Sequence, residues 1–101
     1  MILNQYQIVL INLDPTKTRP CVILSPVEMN LHLKTIVIAP ITSQQRALPT
    51  RVEIIYKRRK GWIVLDQIRT IDKRRILKIF GQLQNKEILK TKNLLKETYV
   101  D

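Results

Sequence analysis

Lys17–Pro26 reads KTRPCVILSP. Pro20 disfavours helical backbone at Arg19 and holds it extended, and the residues that follow, Cys21 to Leu24, are apolar. A guanidinium is thereby fixed at the mouth of a buried strand. A second apolar run, Thr35–Ser43 (TIVIAPITS), lies beyond a connector, Val27–Lys34, that can turn the chain back on itself. Antiparallel pairing of Ser25 with Lys34 puts Pro20 opposite Ala39 and brings Arg19 to the Pro40–Thr42 end of its partner. Arg19 and the hydroxyls of Thr42 and Ser43 then share one rim.

The rest of the chain supplies more strands and one helix. Gln7–Leu13 (QIVLINL) is rich in β-branched residues and ends at the turn former Asp14-Pro15-Thr16. After a polar loop, Ser43–Thr50, the residues Val52, Ile54 and Tyr56 alternate along Arg51–Lys57. The basic turn Lys57–Gly61 returns the chain into Trp62–Leu65, a hairpin with a cationic tip that places Asp66 near Arg51. Asp72 can cap a short turn through Lys73-Arg74-Arg75. The apolar positions of Ile76–Leu83 also suit a helix, but Gly81 weakens that reading and favours a final strand. Asn85 then caps a helix with Ile88, Leu95 and Tyr99 on one face and Leu89 at its flank. Several strands followed by a helix predict a mainly β fold, a small barrel or curled sheet with a C-terminal helix packed on it. Without repeats or linkers, residues 1–101 read as one domain.

Eighteen Lys and Arg against eight Asp and Glu give a net charge of +10, which favours a polyanionic partner such as nucleic acid. The apolar runs fall far short of the roughly 20 residues of a membrane helix, and no basic region precedes the apolar residues of MILNQYQ. A cytoplasmic protein with no membrane partner is expected.

Most site chemistries lack their residues. His32 is the only histidine and Cys21 the only cysteine, so no ligand spacing for a metal exists and no internal disulfide can form. Cys21, among Val22, Ile23 and Leu24, reads as a small buried hydrophobe, and His32 as a solvated loop residue. Two glycines in all leave no phosphate-cradling loop. What remains is a set of polar residues at strand ends: Arg19, Thr42, Ser43, Asp66, Gln67 and Arg69. Strand ends are where a rigid scaffold presents functional groups.

Four blocks stand in order: YQIVLINLDPT at Tyr6–Thr16, KTRPCVILSPVEMN at Lys17–Asn30, TIVIAPITS at Thr35–Ser43 and LDQIRTIDKRRI at Leu65–Ile76. Together they resemble the MazF/PemK family of toxin endoribonucleases over nearly the whole chain. The resemblance implies a small SH3-like barrel of the MazF/PemK/CcdB type, working as a homodimer without a cofactor. It also implies metal-independent cleavage of single-stranded RNA, restrained by a cognate antitoxin that binds over the RNA groove. By motif, Arg19 and Thr42 are the cleavage residues, and Gln67 and Arg69 line the RNA surface with Asp66 beside them. Asp66 is the candidate general base, because a guanidinium with a pKa above about 12 is a poor one. Ser43, Lys17, Arg58 and Arg59 complete the RNA contacts, with the basic stretches Lys57–Lys60 and Lys73–Arg75 offering salt-sensitive grip on phosphates.

Two departures stand out. Val64 occupies a position where some members carry a further arginine, and the chain passes almost directly from DPT to KTRP where members usually carry a longer loop with a Gly-x-Glu element. The shortened connection keeps open an inactive RNA- or antitoxin-binding relative, and the same fold also serves gyrase-inhibiting toxins.

Overall fold

The computed structural model describes residues 2–14, 16–44 and 48–101. Pro15 of the first expected turn and 45–47 of the expected polar loop lie outside them. β1 (Gln7–Asp14) and β2 (Lys17–Ile23) form an antiparallel hairpin in which Ile11 faces Arg19 and Asp14 faces Lys17. Only two residues separate the strands. Asp14 Oδ1 accepts the Thr16 N–H at 2.9 Å and the Thr16 hydroxyl at 3.0 Å, bonds that hold its carboxyl below its ordinary pKa.

The connector expected to be a simple turn contains a helix, α1 (Val27–His32), and His32 is exposed on its last turn rather than in a loop. Buried Asn30 ties this helix down. Its Nδ2 donates to the Leu3 carbonyl at 2.9 Å and the Ser25 carbonyl at 3.0 Å, and its own carbonyl accepts from Lys73 Nζ at 2.6 Å. β3 (Thr35–Thr42) meets β2 in a different register from the expected one. Val22, not Pro20, lies opposite Ala39, and Cys21 lies opposite Pro40. The shift is two residues, so every side chain keeps its expected face.

β4 (Arg51–Tyr56) and β5 (Arg59–Val64) form the second hairpin. The expected five-residue basic turn is tighter than read, since only Lys57 and Arg58 lie outside the strands. A 3-10 turn at Leu65–Gln67 leads to β6 (Arg69–Asp72), a strand missed in the sequence because four residues give little periodicity. Asp72 caps the next 3-10 turn, Lys73–Arg75, by accepting the Arg74 N–H, as anticipated. The curled sheet runs β4-β5-β3-β2-β1-β7, with β6 also paired to β3.

β7 (Ile76–Gln82) explains its own ambiguity. Its pairing with β1 carries two irregularities: Leu77 is extra between the partners of Ile11 and Leu10, and Phe80 is extra between those of Val9 and Ile8. Each bulge shifts the two-residue alternation, which mimics helical spacing. Two cores result on opposite faces of β1–β2–β3. One holds Val9, Ile11, Cys21, Ile23, Ile38 and Ile71, and the other Ile8, Val22, Ile41, Ile54, Ile63 and Leu65.

α2 (Asn85–Tyr99) covers the second core through Ile88, Leu94 and Leu95, while Leu89 faces solvent. Its N-cap is Gln84, not Asn85, because Glu87 completes a capping box with Gln84. At the other end the Tyr99 hydroxyl donates to the Leu65 carbonyl. The result is a mostly β curled half-barrel closed by a C-terminal helix.

Candidate functional site

Two prolines open the rim. Cys21 and Pro40 are the last partners of the β2–β3 ladder, and neither Pro20 nor Pro40 has an N–H to continue it. β3 therefore leaves β2 and from Ile41 pairs with β5, Thr42 standing opposite Trp62. Alternation along β2 puts Arg19 on the face of Cys21 and Ile23, and alternation along β3 puts Thr42 on the face of Pro40 and Ile38. Arg69 opens β6 directly opposite Ile38, so it shares that face. Three strands thus present Arg19, Thr42 and Arg69 at one end of one core. The charge of the two arginines reaches the same thiol: burial pushes Cys21 up to about 12, and Arg19 and Arg69 both pull it the other way.

The polar atoms of this rim are partly engaged. Thr42 Oγ1 accepts the Gln44 N–H at 3.2 Å, which leaves its own hydrogen to donate. The Arg19 carbonyl accepts a weak bond from Cys21 Sγ at 3.6 Å, and the Arg19 side chain is half-buried. Ser43, directly after β3, is exposed, as are Gln67 at the end of its 3-10 turn and Lys17 opposite Asp14.

Asp66 has partners of its own. Its Oδ1 accepts the Thr50 hydroxyl at 2.8 Å and lies 3.7 Å from Arg51 Nε. Among the described residues no hydrogen bond or ion pair joins it to Arg19 or Thr42. The hairpin pairing anticipated Arg51 here, but Thr50, at the end of a loop, gave no signal.

The remaining cations divide. Lys73 is held by the Asn30 carbonyl, Arg74 pairs with Asp72 at 2.9 Å, and Arg75 Nη1 donates to the Leu13 carbonyl at 3.3 Å, so the Lys73–Arg75 run is used within the fold. Its hydrogen bonds and charge bring the exposed Asp72 carboxyl down to about 2. Arg58 and Arg59 are exposed at the β4–β5 turn, where Lys57 lies over Phe80, beyond the residue that pairs with Val9. That is the end of β1 away from Ile11 and Arg19. Among the described residues no three of His, Cys, Asp and Glu gather into a group able to hold a metal ion, and no helix is long and apolar enough to cross a membrane.

Residues 4–99 match the family of PemK-like, MazF-like toxins of type II toxin-antitoxin systems. The chain belongs to that family. The match spans the blocks around Arg19, Thr42 and Asp66, as the resemblance of the four motifs led one to expect. Solved structures agree in fold. An endoribonuclease in complex with its cognate antitoxin from a mycobacterial species superposes with a TM-score of 0.85 at 22% identity, covering 94% of this chain and 92% of its own. The Mycobacterium tuberculosis toxin MazF-mt6 gives 0.80 at 24%, covering 90% and 93%. A MazE-MazF structure from Deinococcus radiodurans gives 0.82 at 20%, covering 96% and 94%. At these identities the similarity concerns the fold; the family assignment rests on the 4–99 match.

Proposed function

We propose that this member of the PemK/MazF family is an endoribonuclease toxin, a single domain over residues 1–101 that cuts single-stranded RNA in the cytoplasm. It works as a homodimer, without metal or cofactor, until a cognate antitoxin covers the RNA groove. The observation that carries the reading is the convergence of Arg19, Thr42 and Arg69 from three strands onto one face at the end of the sheet. Family membership and the likeness to an endoribonuclease bound to its antitoxin support it.

RNA supplies its own nucleophile. The ribose 2′-oxygen attacks the adjacent phosphorus, the O2′–P bond forms, and the P–O5′ bond breaks. The products are a 2′,3′-cyclic phosphate and a 5′-hydroxyl, whose oxygen takes up a proton as the 2′-hydroxyl loses one. The protein must stabilise the extra charge on the pentavalent phosphorane, and Arg19, always protonated and able to fork onto two oxygens, suits that task. Thr42 donates its free hydroxyl hydrogen to the same group. Asp66 accepts the 2′-proton, Thr50 and Arg51 holding one carboxylate oxygen so that the other is available. Gln67, Arg69, Ser43 and Lys17 hold the strand along the rim.

The test is incubation of the purified chain with a long single-stranded RNA in EDTA, followed by mapping of new ends. Discrete 5′-hydroxyl ends at a recurring motif are expected. Intact RNA with retained binding would make the chain an inactive binder, a reading that only the short β1–β2 connection favours.

A further inference from the structure

The tip of the β4–β5 hairpin is built against its own backbone preference. Lys57 and Arg58 have φ of 50° and 62°, the left-handed region that a two-residue hairpin demands and that Asn-Gly fills with least strain. Long side chains with a Cβ are disfavoured there, and strain of this kind is characteristically retained at functional positions.

The tip also gathers cations. Lys57 Nζ lies 3.8 Å and Lys78 Nζ 5.4 Å from the centre of the Phe80 ring. The ring offsets the repulsion of two ammonium groups brought together, and the bulge at Phe80 is what turns it toward the hairpin. Among the described residues, none of Lys57, Arg58, Arg59 and Lys78 makes an ion pair; Lys60 alone of the tip does, with Glu53 at 3.9 Å. This cluster stands apart from Arg19. Phe80 packs against the core that α2 covers, beside the Ile8–Val9 level of β1, whereas Arg19 lies on the opposite face at the level of Ile11. Three residues of strand alone amount to roughly 10 Å.

We propose that Lys57, Arg58, Arg59 and Lys78 form a second RNA contact, separate from the cleavage rim, that binds the phosphates of the strand flanking the cut. The proposal rests on the RNA reading above. Guanidinium forks and ammonium groups at short spacing match a phosphodiester chain, and such contacts act independently of base sequence. The site therefore gives long RNA an advantage over a fragment that fills only the rim.

The test uses uncleavable 2′-O-methyl RNAs, one of about 30 nucleotides and one of about seven, and measures binding to the full chain as salt is raised. K57N/R58G removes two charges and also relieves the turn, so its melting temperature is expected to equal or exceed that of the parent. Its affinity for the long RNA is expected to fall about tenfold, and the slope of log affinity against log salt to shrink by about 1.4, as when two phosphates of a single strand are no longer neutralised. F80L, which disperses the two ammonium groups, is expected to weaken the long RNA in the same direction. Unchanged affinity and slope for the long RNA would overturn the proposal, as would an equal loss for the short one. Cleavage by the parent chain is scored separately, so a chain that binds RNA through the tip yet never cuts it refutes the nuclease reading and not this one.

Discussion

Arg51 Nε lies 3.7 Å from Asp66 Oδ1, and it makes no hydrogen bond among the described residues. The Arg51 side chain is only 11% exposed, so Asp66 both neutralises a nearly buried cation and stands at the start of the expected RNA surface. Removing the carboxylate outright confounds the two roles, because an unpaired buried charge is costly. Asp66→Asn also removes the counter-charge of Arg51, but it keeps the acceptor for the Thr50 hydroxyl and abolishes proton uptake. It is expected to lower the cleavage rate at least about 100-fold and to cost about 1–2 kcal/mol of stability. Single-turnover cleavage, with urea unfolding alongside, checks this; a loss below about threefold makes Asp66 a positioning residue.

Arg19 and Thr42 differ in what they give the phosphorane. Arg19→Ala is expected to reduce cleavage by about 100- to 1,000-fold, the usual loss on deleting a transition-state donor. Arg19→Lys restores the charge but not the fork, and recovers only part of the activity. Thr42→Val is isosteric and removes the donor alone, with an expected loss of about tenfold or more. Circular dichroism of each variant, matched to the parent, separates these losses from unfolding.

The candidate site was legible in the sequence to the extent that its residues sit on strands with clear patterns. Arg19-Pro20 before an apolar run and the second run ending at Thr42 marked the rim, even though the register differs from the expected one, because the difference is an even number of residues. The Asp66–Arg51 neighbourhood followed from hairpin pairing. Three features stayed hidden for physical reasons. β6 is too short to show a period, the alternation of β7 is scrambled by two bulges, and the N-cap moved to Gln84 because the side chain of Glu87 reciprocates there. The separation of the basic tip from the rim could not be read from charge, which says nothing about which face of a curled sheet a hairpin crosses.

Glu87 holds α2 to the sheet edge. One oxygen accepts the Gln84 N–H at 2.9 Å, and the other accepts the Ile55 N–H of edge strand β4 at 2.8 Å, with Glu87 itself 4% exposed. Glu87→Ala strands a donor on each element and is expected to destabilise by about 2–4 kcal/mol, measured by urea unfolding. Glu87→Gln retains the acceptor for one and is expected to cost about half as much.

Gly61 is required by close packing rather than by backbone conformation. A Cβ there would come within 2.9 Å of Ile41 Cγ2 and of Tyr56 Cε1. Ile41 is locked in the core, so relief falls to the Tyr56 ring. Gly61→Ala is expected to destabilise by about 1–3 kcal/mol, and Gly61→Ala combined with Tyr56→Leu to recover part of that loss in the same unfolding assay.

Cys21 links the core to pH. Burial pushes its thiol up to about 12, against about 8.5 for an unfolded cysteine. Between these values the unfolded chain binds fewer protons than the folded one, so stability falls as pH rises; the contribution is whole below about 8.5 and gone by about 12. At pH 9.5 the loss from this thiol is about 1 kcal/mol. Tyr6, raised by its own burial, adds a loss of the same sign only near and above pH 10. Urea unfolding at pH 7.5 and 9.5 is therefore expected to show a decline in the parent that is smaller by about that amount in Cys21→Ala. A thiol reagent at pH 7.5 is expected to leave the folded chain unlabelled and to label it fully in urea, since Cys21 is wholly buried. Labelling of the folded chain at the unfolded rate would mean that the rim opens far enough to expose the strand beneath Arg19.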